Sequence, residues 1–269
     1  MILYPLSPSS PLSPGTVSVW KAVAASQQQQ ASAWWLIAQP DHSALAGELA
    51  AQFSAPEFPP LDSAVVQAIA LHDAGWAKYD GGGKAGGGNG TAPQPPRDSS
   101  GRPLAFLQAP VGMFVEAWGD SIRCAEEKTG AIGGLMVSGH FRRLAEHRQN
   151  SVDDSPEDAA SIRAFVQNEI RQDEARLRRQ QRSRPEVERL VDLLQFCDLL
   201  SLYLCCGSRA SVRFPQTIGS RAIALRRDGG FCLLEPSPFC EEISLGVPVR
   251  RDPVSPGEPN TWVLPVLLR

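Results

Sequence analysis

The sequence predicts a mainly α-helical fold, in which a helical domain over residues 40–206 carries a small peripheral antiparallel sheet formed by the two ends of the chain. Apolar residues recur at helical spacing through the middle of the chain, and the last helix of that run is apolar on nearly every side. Short β-like runs separated by Gly and Pro turns follow residue 207. The 269 residues, 42% of them hydrophobic, suffice for one large domain or for one domain with an appendage.

Residues 1–39 are expected to form an extension and a β-hairpin. Residues 1–15 contain four prolines and four serines, which is typical of an extended lead-in. The segments 17–23 and 32–39, VSVWKAV and SAWWLIAQ, are rich in β-branched and aromatic residues and flank a Gln-rich tract. This pattern predicts two strands joined by a loop.

Two helices are predicted to follow this hairpin. Residues 40–53 have Leu and Phe at intervals of four, and Asp41 is placed to cap their first turn, so a helix begins near His42. After the break PEFPP, a second helical pattern brings the adjacent residues His72 and Asp73 near its end.

The rest of the chain alternates between loops, helices and strands. Residues 80–103 are too dense in Gly and Pro for a regular element. The segment 155–181 begins with a capping pattern and alternates in charge, which predicts a long solvated helix. The stretch 189–206 predicts a helix buried in a bundle, with Asp198 inside it. Residues 207–269 are expected to form strands that pack with the N-terminal hairpin.

Composition and charge exclude several classes of function. A net charge of -3 and a pI of 5.9 give no broad basic surface, so no nucleic-acid partner is expected and a small molecule is the default ligand. The six cysteines form no CxxC pair and no zinc-type spacing, which indicates reduced packing residues. The chain has no signal-peptide pattern and no apolar stretch of about 18 residues, so we expect a cytoplasmic protein without a membrane partner. The oligomeric state, including a homodimer, stays open.

Histidine and aspartate residues in the predicted helices are candidates for a metal site. A hydrolytic divalent ion requires neutral imidazoles and ionised carboxylates on rigid elements. A carboxylate in an apolar helix is costly unless it is neutralised, hydrogen-bonded or bound to a cation, so Asp198 requires a buried partner. The alternative for His72 and Asp73 is that they satisfy local backbone groups, and His42 could be an ordinary residue of a first helical turn.

The order of these residues resembles the HD superfamily of metal-dependent phosphohydrolases. A helix-borne His42 is followed by the pair His72 and Asp73, and then by the distant Asp198. More closely, the blocks WWLIAQPDHSALAGELA, ALHDAGWAKYD, LMVSGHFRRLA and LLQFCDLLSLYLCCG, within residues 34–207, resemble an uncharacterised bacterial family catalogued as domain of unknown function 3891 and assigned to the HD-like fold.

The resemblance implies an HD-like helical bundle and a set of site residues. His42, His72, Asp73 and Asp198 would bind a divalent ion, which could be Mn, Fe, Zn, Ni or Mg. His140 would be either a ligand of a second ion or a hydrogen-bond donor to a substrate phosphate or leaving group. Many HD enzymes have the pattern HD-x-G-K, whereas this chain has HDAGW and places its lysine two residues later, so the phosphate-contacting lysine of those enzymes has no match in position.

Further residues are candidates for the pocket around this site. Trp76, Lys78, Asp80 and Glu116 could form its wall, and Arg142 and Arg143 could contact a substrate anion, although charged helix residues are usually solvated. His147 follows His140 by seven residues and is expected at the surface, and Cys197 is expected to be a packing residue.

The expected function is that of a metal-dependent phosphohydrolase with a small phosphoester or nucleotide as substrate. In this hypothesis the ion lowers the pKa of a water molecule, Asp73 or a nearby carboxylate orients that water, and His140 stabilises the developing charge, so Asp73 and His140 are the catalytic candidates. Two alternatives stay open. One is a non-catalytic HD-like module that binds a metal or ligand, and the other is a di-metal, oxygenase-like HD protein that would need His140, alone or together with His147, for a second site.

Overall fold

The computed structural model describes residues 1–6, 15–80, 96–148, 154–254 and 261–269. Its helices are α1 (Val19–Gln27), α2 (Gln39–Ala51), α3 (Ser63–Ala70), α4 (Ala77–Asp80), α5 (Val111–Thr129), α6 (Ala131–Arg148), α7 (Pro156–Arg178) and α8 (Arg184–Cys205), with short 3-10 turns at Ala74–Trp76 and Phe106–Gln108. Its strands are β1 (Ile2–Pro5), β2 (Thr16–Ser18), β3 (Trp34–Ile37), β4 (Ser211–Ile218), β5 (Arg221–Asp228), β6 (Phe231–Glu235), β7 (Ile243–Asp252) and β8 (Thr261–Leu268).

The strands form one eight-stranded mixed sheet in the order β1-β3-β7-β8-β6-β5-β4-β2. The pairs β2–β4 and β6–β8 are parallel, and the other neighbouring strands are antiparallel. About 52% of the described residues are helical and 22% are in strands. The predicted mainly α fold, an HD-like bundle with a small peripheral antiparallel sheet, is therefore wrong, and so is any all-α description.

The sheet is larger than predicted because its edges and kinks are hard to read from sequence. Strand β1 lies inside the Pro- and Ser-rich lead-in, and β4 contains Pro215 at a register shift between Arg213 and Thr217. Proline removes a ladder donor and usually argues against a strand, yet Pro248 and Pro265 also lie in paired strands. One continuous hydrophobic cluster contains residues of both the helices and the sheet.

The predicted hairpin of residues 17–23 and 32–39 is also wrong. Residues 17–23 leave β2 and enter α1, whose first turn is capped by Ser18 through a bond from the Lys21 N–H. Val19 and Val23 are fully buried at helical spacing, so a short apolar stripe, not strand alternation, explains the Val-rich pattern. Strand β3 pairs instead with β1 and β7.

The helices that were predicted from apolar spacing are present. Helix α7 begins after Ser155, whose hydroxyl accepts from the Asp158 N–H at 3.1 Å, which confirms the capping prediction. Helix α2 begins earlier than expected, with Ala38 and not Asp41 as its N-cap. The Gln39 N–H in its first turn is instead bound by the distant Asp80 carboxylate at 3.0 Å.

Helix α8 lies at the centre of the molecule, as its apolar sequence predicted. It contacts α2, α3 and α6 and also α1, β1 and β4. Phe196 illustrates this position, because its ring packs against Phe53 after α2 and against Phe214 in β4. The buried middle of α8 therefore places Asp198 where residues of α2, α3 and α6 can reach it.

Other sequence predictions fall partly on the described residues. Residues 81–95 of the predicted 80–103 loop lie outside the described residues; Asp80 is the last residue of α4, and residues 96–103 contain an isolated bridge between Arg97 and Pro103. All six cysteines are unpaired, and four of them are buried. Within the described ranges, no helix combines the length and the apolar composition that crossing a membrane requires.

Candidate metal centre

Four separate elements bring five predicted site residues together. His42 lies in the first part of α2, His140 in α6 and Asp198 in α8. His72 and Asp73 lie in the turn just after α3, which ends at Ala70, and not within the helix as predicted. All five residues are buried: the three histidine side chains are 0–2% exposed and the two carboxylate side chains, the most exposed of the cluster, 8–9%.

Each carboxylate faces a histidine ring nitrogen. Nε2 of His42 lies 2.9 Å from Oδ2 of Asp73, and Nε2 of His72 lies 3.3 Å from Oδ1 of Asp198. The cross distances are also short, because Nε2 of His72 is 3.8 Å from Oδ2 of Asp73 and Nε2 of His42 is 4.0 Å from Oδ1 of Asp198. His140 is the most peripheral member, with Nε2 3.9 Å from Oδ2 of Asp198.

The far sides of two rings are held by hydrogen bonds. Nδ1 of His72 lies 2.7 Å from the Ile69 carbonyl oxygen, which can only accept, so this nitrogen carries a proton. Nδ1 of His42 lies 2.9 Å from Oγ of Ser201. Both rings consequently direct Nε2 at a carboxylate oxygen, and metal-binding histidines are commonly oriented in this way by a partner of the other nitrogen.

The surroundings in the cluster shift the pKa values of His72 and His140 in opposite directions. Burial lowers the pKa of His72, but the charge of Asp73 and the hydrogen bond to Asp198 outweigh burial and raise it to about 9. Burial also opposes ionisation of Asp198, yet the hydrogen bond and charges of the surrounding histidines hold the pKa of that carboxyl below its ordinary value. The pKa of His140 falls to about 4, mainly through burial, so its imidazole is neutral at pH 7.

These donors suit a divalent transition metal. Two groups of potential ligand atoms each lie within 4.8 Å of one another: those of His42, His72 and Asp73, and those of His72, His140 and Asp198. Imidazole nitrogens and carboxylate oxygens together are typical ligands of Zn, Fe, Mn and Ni. When two lone-pair acceptors face each other at 2.9 Å, a cation or a proton must lie between them. The residues therefore fit a metal ion.

Most of the other predicted pocket residues are engaged elsewhere. The Lys78 ammonium lies 2.5 Å from Glu116 and 2.8 Å from Asp120, at the surface. Trp76 is buried against Tyr79 and Phe114. Asp80 binds the N-terminus of α2, so it positions the helix that carries His42. Among the described residues, none of the three forms a hydrogen bond or an ion pair with a cluster side chain.

The arginines near His140 are held by acidic residues. Arg142 pairs with Asp173 at 3.2 Å, and Arg143 pairs with Glu188 and Asp192. His147 is exposed, as expected, and belongs to neither ligand group found in the described residues. Burial raises the pKa of the Cys197 thiol well above neutrality, so this residue stays protonated and acts in packing.

Ser201 is the site residue that the sequence prediction missed. It follows Asp198 by three positions on α8, so both side chains lie on one face of the helix. A fully buried serine in the apolar run LLSLYLCC must find a hydrogen-bond partner, and that requirement is the signal that could have identified it.

Gly75 supports the turn that carries Asp73. An added Cβ would lie 2.1 Å from the Ala117 carbonyl oxygen and 2.8 Å from the Ser121 backbone nitrogen, both in α5. We expect Gly75→Ala to destabilise the protein by about 1–3 kcal/mol, because backbone cannot move aside easily. Urea unfolding measures this effect. Gly119→Ala is the control, since its Cβ would meet only the Arg123 guanidinium at 3.6 Å; equal stability of both variants would contradict the expectation.

Comparison with known proteins places the chain in a family. A family model described as protein of unknown function, DUF3891, matches residues 27–251, which include all five cluster residues. Searches of curated proteins and of solved structures found no match. The resemblance of the sequence blocks to this family is therefore confirmed, and the chain belongs to the DUF3891 family.

Proposed function

We propose that this protein is a metal-dependent phosphohydrolase of the HD type that acts on a small phosphoester or nucleotide. The observation that carries the proposal is the convergence of three histidines and two aspartates, with Nε2 of His42 and His72 directed at the carboxylates. The order in the chain, a histidine on one helix, a His-Asp pair and a distant aspartate, is that of the HD superfamily and supports placing the family there.

His42, His72, Asp73 and Asp198 would hold the ion, with His140 at its edge. When bound there, a divalent ion supplies Lewis acidity towards a phosphate oxygen and acidifies water. The two carboxylate side chains are the most exposed of the cluster, at 8–9%, so substrate and water would approach past them. Asp73 would accept a hydrogen bond from a water molecule and so orient that water for attack on phosphorus.

His140 fits a role as donor to the substrate. Its imidazole is buried and neutral at pH 7, with a pKa of about 4, so one nitrogen carries a proton and the other does not. Its Nδ1 has no hydrogen-bond partner among the described residues. A neutral imidazole can donate a hydrogen bond from its protonated nitrogen to the phosphate or leaving-group oxygen on which negative charge develops.

The proposal is tested by assaying the purified protein against phosphomonoesters, phosphodiesters and nucleotides with Mn²⁺, Co²⁺, Zn²⁺ or Mg²⁺ added singly. We expect phosphate release from at least one class of substrate, loss of that release with a chelator, and its return when the ion is restored. Metal analysis of the same preparation accompanies the assay. A protein that binds metal at the cluster but hydrolyses no member of the panel would overturn the phosphohydrolase proposal and favour a binding module.

A further inference from the structure

Ser201 contacts the candidate metal-binding cluster at the buried side of the His42 ring, opposite the nitrogen that faces Asp73. Its side chain is fully buried on α8. Oγ lies 2.9 Å from the backbone carbonyl oxygen of Asp198 and 2.9 Å from Nδ1 of His42. One hydroxyl therefore connects a candidate ligand on α2 with the peptide group of a candidate ligand on α8.

The direction of these hydrogen bonds follows from the number of protons. A carbonyl oxygen can only accept, so the single hydroxyl proton of Ser201 is donated to the Asp198 carbonyl. The hydroxyl oxygen is then left as an acceptor, and His42 donates to it from Nδ1. A neutral His42 ring with its proton on Nδ1 has an unprotonated Nε2, which is the form that binds a metal.

We propose that Ser201 is a positioning residue that holds His42 in its metal-binding tautomer and so sets the affinity of the cluster for divalent ions. Without the hydroxyl, the proton of His42 can move to Nε2 and be donated to Oδ2 of Asp73, 2.9 Å away. That hydrogen bond would occupy two of the ligand atoms at once. The inference rests on the metal site of the proposed function but not on hydrolysis of phosphate.

A neighbouring serine provides a matched control. Ser43 is also fully buried and adjoins His42, but its hydroxyl is bonded to the carbonyl oxygens of Pro40 and Ala70 at 3.0 and 3.1 Å. It makes no hydrogen bond to a cluster side chain in the described structure. Ser43→Ala and Ser201→Ala each remove one buried hydroxyl close to His42, and only the second removes a partner of its ring.

The test is titration of the metal-stripped full chain with Co²⁺, whose visible absorption reports the ligands, together with ¹⁵N NMR of the His42 ring in the protein loaded with diamagnetic Zn²⁺. We expect Ser201→Ala to weaken Co²⁺ binding by about 10- to 100-fold, as loss of such outer partners does elsewhere. Ser43→Ala should leave binding unchanged. In the Zn²⁺ form of the original protein the NMR spectrum should show the His42 proton on Nδ1, and in Ser201→Ala the resonance of this proton should shift and exchange faster with water, because its acceptor is gone.

Each contrary result has a distinct meaning. Equal Co²⁺ affinity of the original protein and Ser201→Ala, equal weakening in both serine variants, or an unchanged His42 Nδ1–H resonance would overturn the role of Ser201 while leaving the proposed function standing. Absence of Co²⁺ binding by the original protein would overturn the role of Ser201 and the metal-dependent function together. Thermal unfolding of each metal-free variant establishes that the comparison is made between folded proteins.

Discussion

Replacing Asp198 with asparagine is expected to weaken divalent-metal binding by more than about 100-fold, because changes one step further from the metal already cost about 10- to 100-fold. Asp198 is buried in the centre of α8 and lies within 4.0 Å of Nε2 of all three cluster histidines. Asparagine has nearly the same shape but no charge, so the substitution removes the anion that faces those rings. Any metal-dependent hydrolysis should disappear with the metal.

The measurement is metal content after dialysis, followed by titration of the stripped protein with Mn²⁺ or Co²⁺. Asp192→Asn is the matched control, because Asp192 lies on the same helix, is 41% exposed and pairs with Arg143 at 2.6 Å. It should bind metal as the original protein does. Unchanged metal binding in Asp198→Asn would show that the ion, if bound, is held elsewhere, and unchanged hydrolysis would exclude the cluster as the active site.

More of the candidate site than of the fold could be predicted from the sequence, because each candidate residue stands out by its type and its immediate neighbours in the chain. The adjacent His72 and Asp73 and the carboxylate of Asp198 in an apolar helix are visible in the sequence without knowing what lies beside them. The structure brings both together with His42 and His140, which the order of the blocks also indicated. The turn after α3 was less visible, because the helical pattern continues past Ala70 where the helix ends.

The sheet and the contacts behind the site depend on residues far apart in the chain. The pairing of Trp34 in β3 with Asp252 in β7 joins the two ends of the sequence, and no local pattern specifies it. Asp80 accepts a hydrogen bond from the Gln39 N–H, 41 positions away in the chain. The residue that satisfies the first turn of α2 therefore could not be predicted from the sequence around α2. Ser201 is a similar case, since its partner His42 is 159 positions away.

The metal-free protein is expected to be most stable near pH 6.5 and to lose stability on both sides. The folded pKa of His140 is about 4, so below 6.5 the unfolded chain binds more protons and stability falls as the pH falls. The folded pKa of His72 is about 9, so its contribution is complete below 6.5 and is lost as the pH rises through 9. The difference between each folded pKa and the unfolded value of 6.5 corresponds to at most about 3 kcal/mol in the free energy of unfolding.

Urea unfolding of the chelator-treated protein between pH 4 and 10 measures this profile, and substitution separates its two sides. His140→Gln should reduce the loss at acid pH and His72→Gln the loss at alkaline pH, whereas the exposed His147→Gln should change neither. A metal-free protein whose stability rises steadily up to pH 9 would contradict the raised pKa of His72. With saturating Mn²⁺, stability should rise and not fall as the pH increases towards 9. The ion binds the deprotonated His72 ring and must displace the proton that stabilises the metal-free cluster. The same histidine thus stabilises the protein as a cation without metal and as a neutral ligand with it.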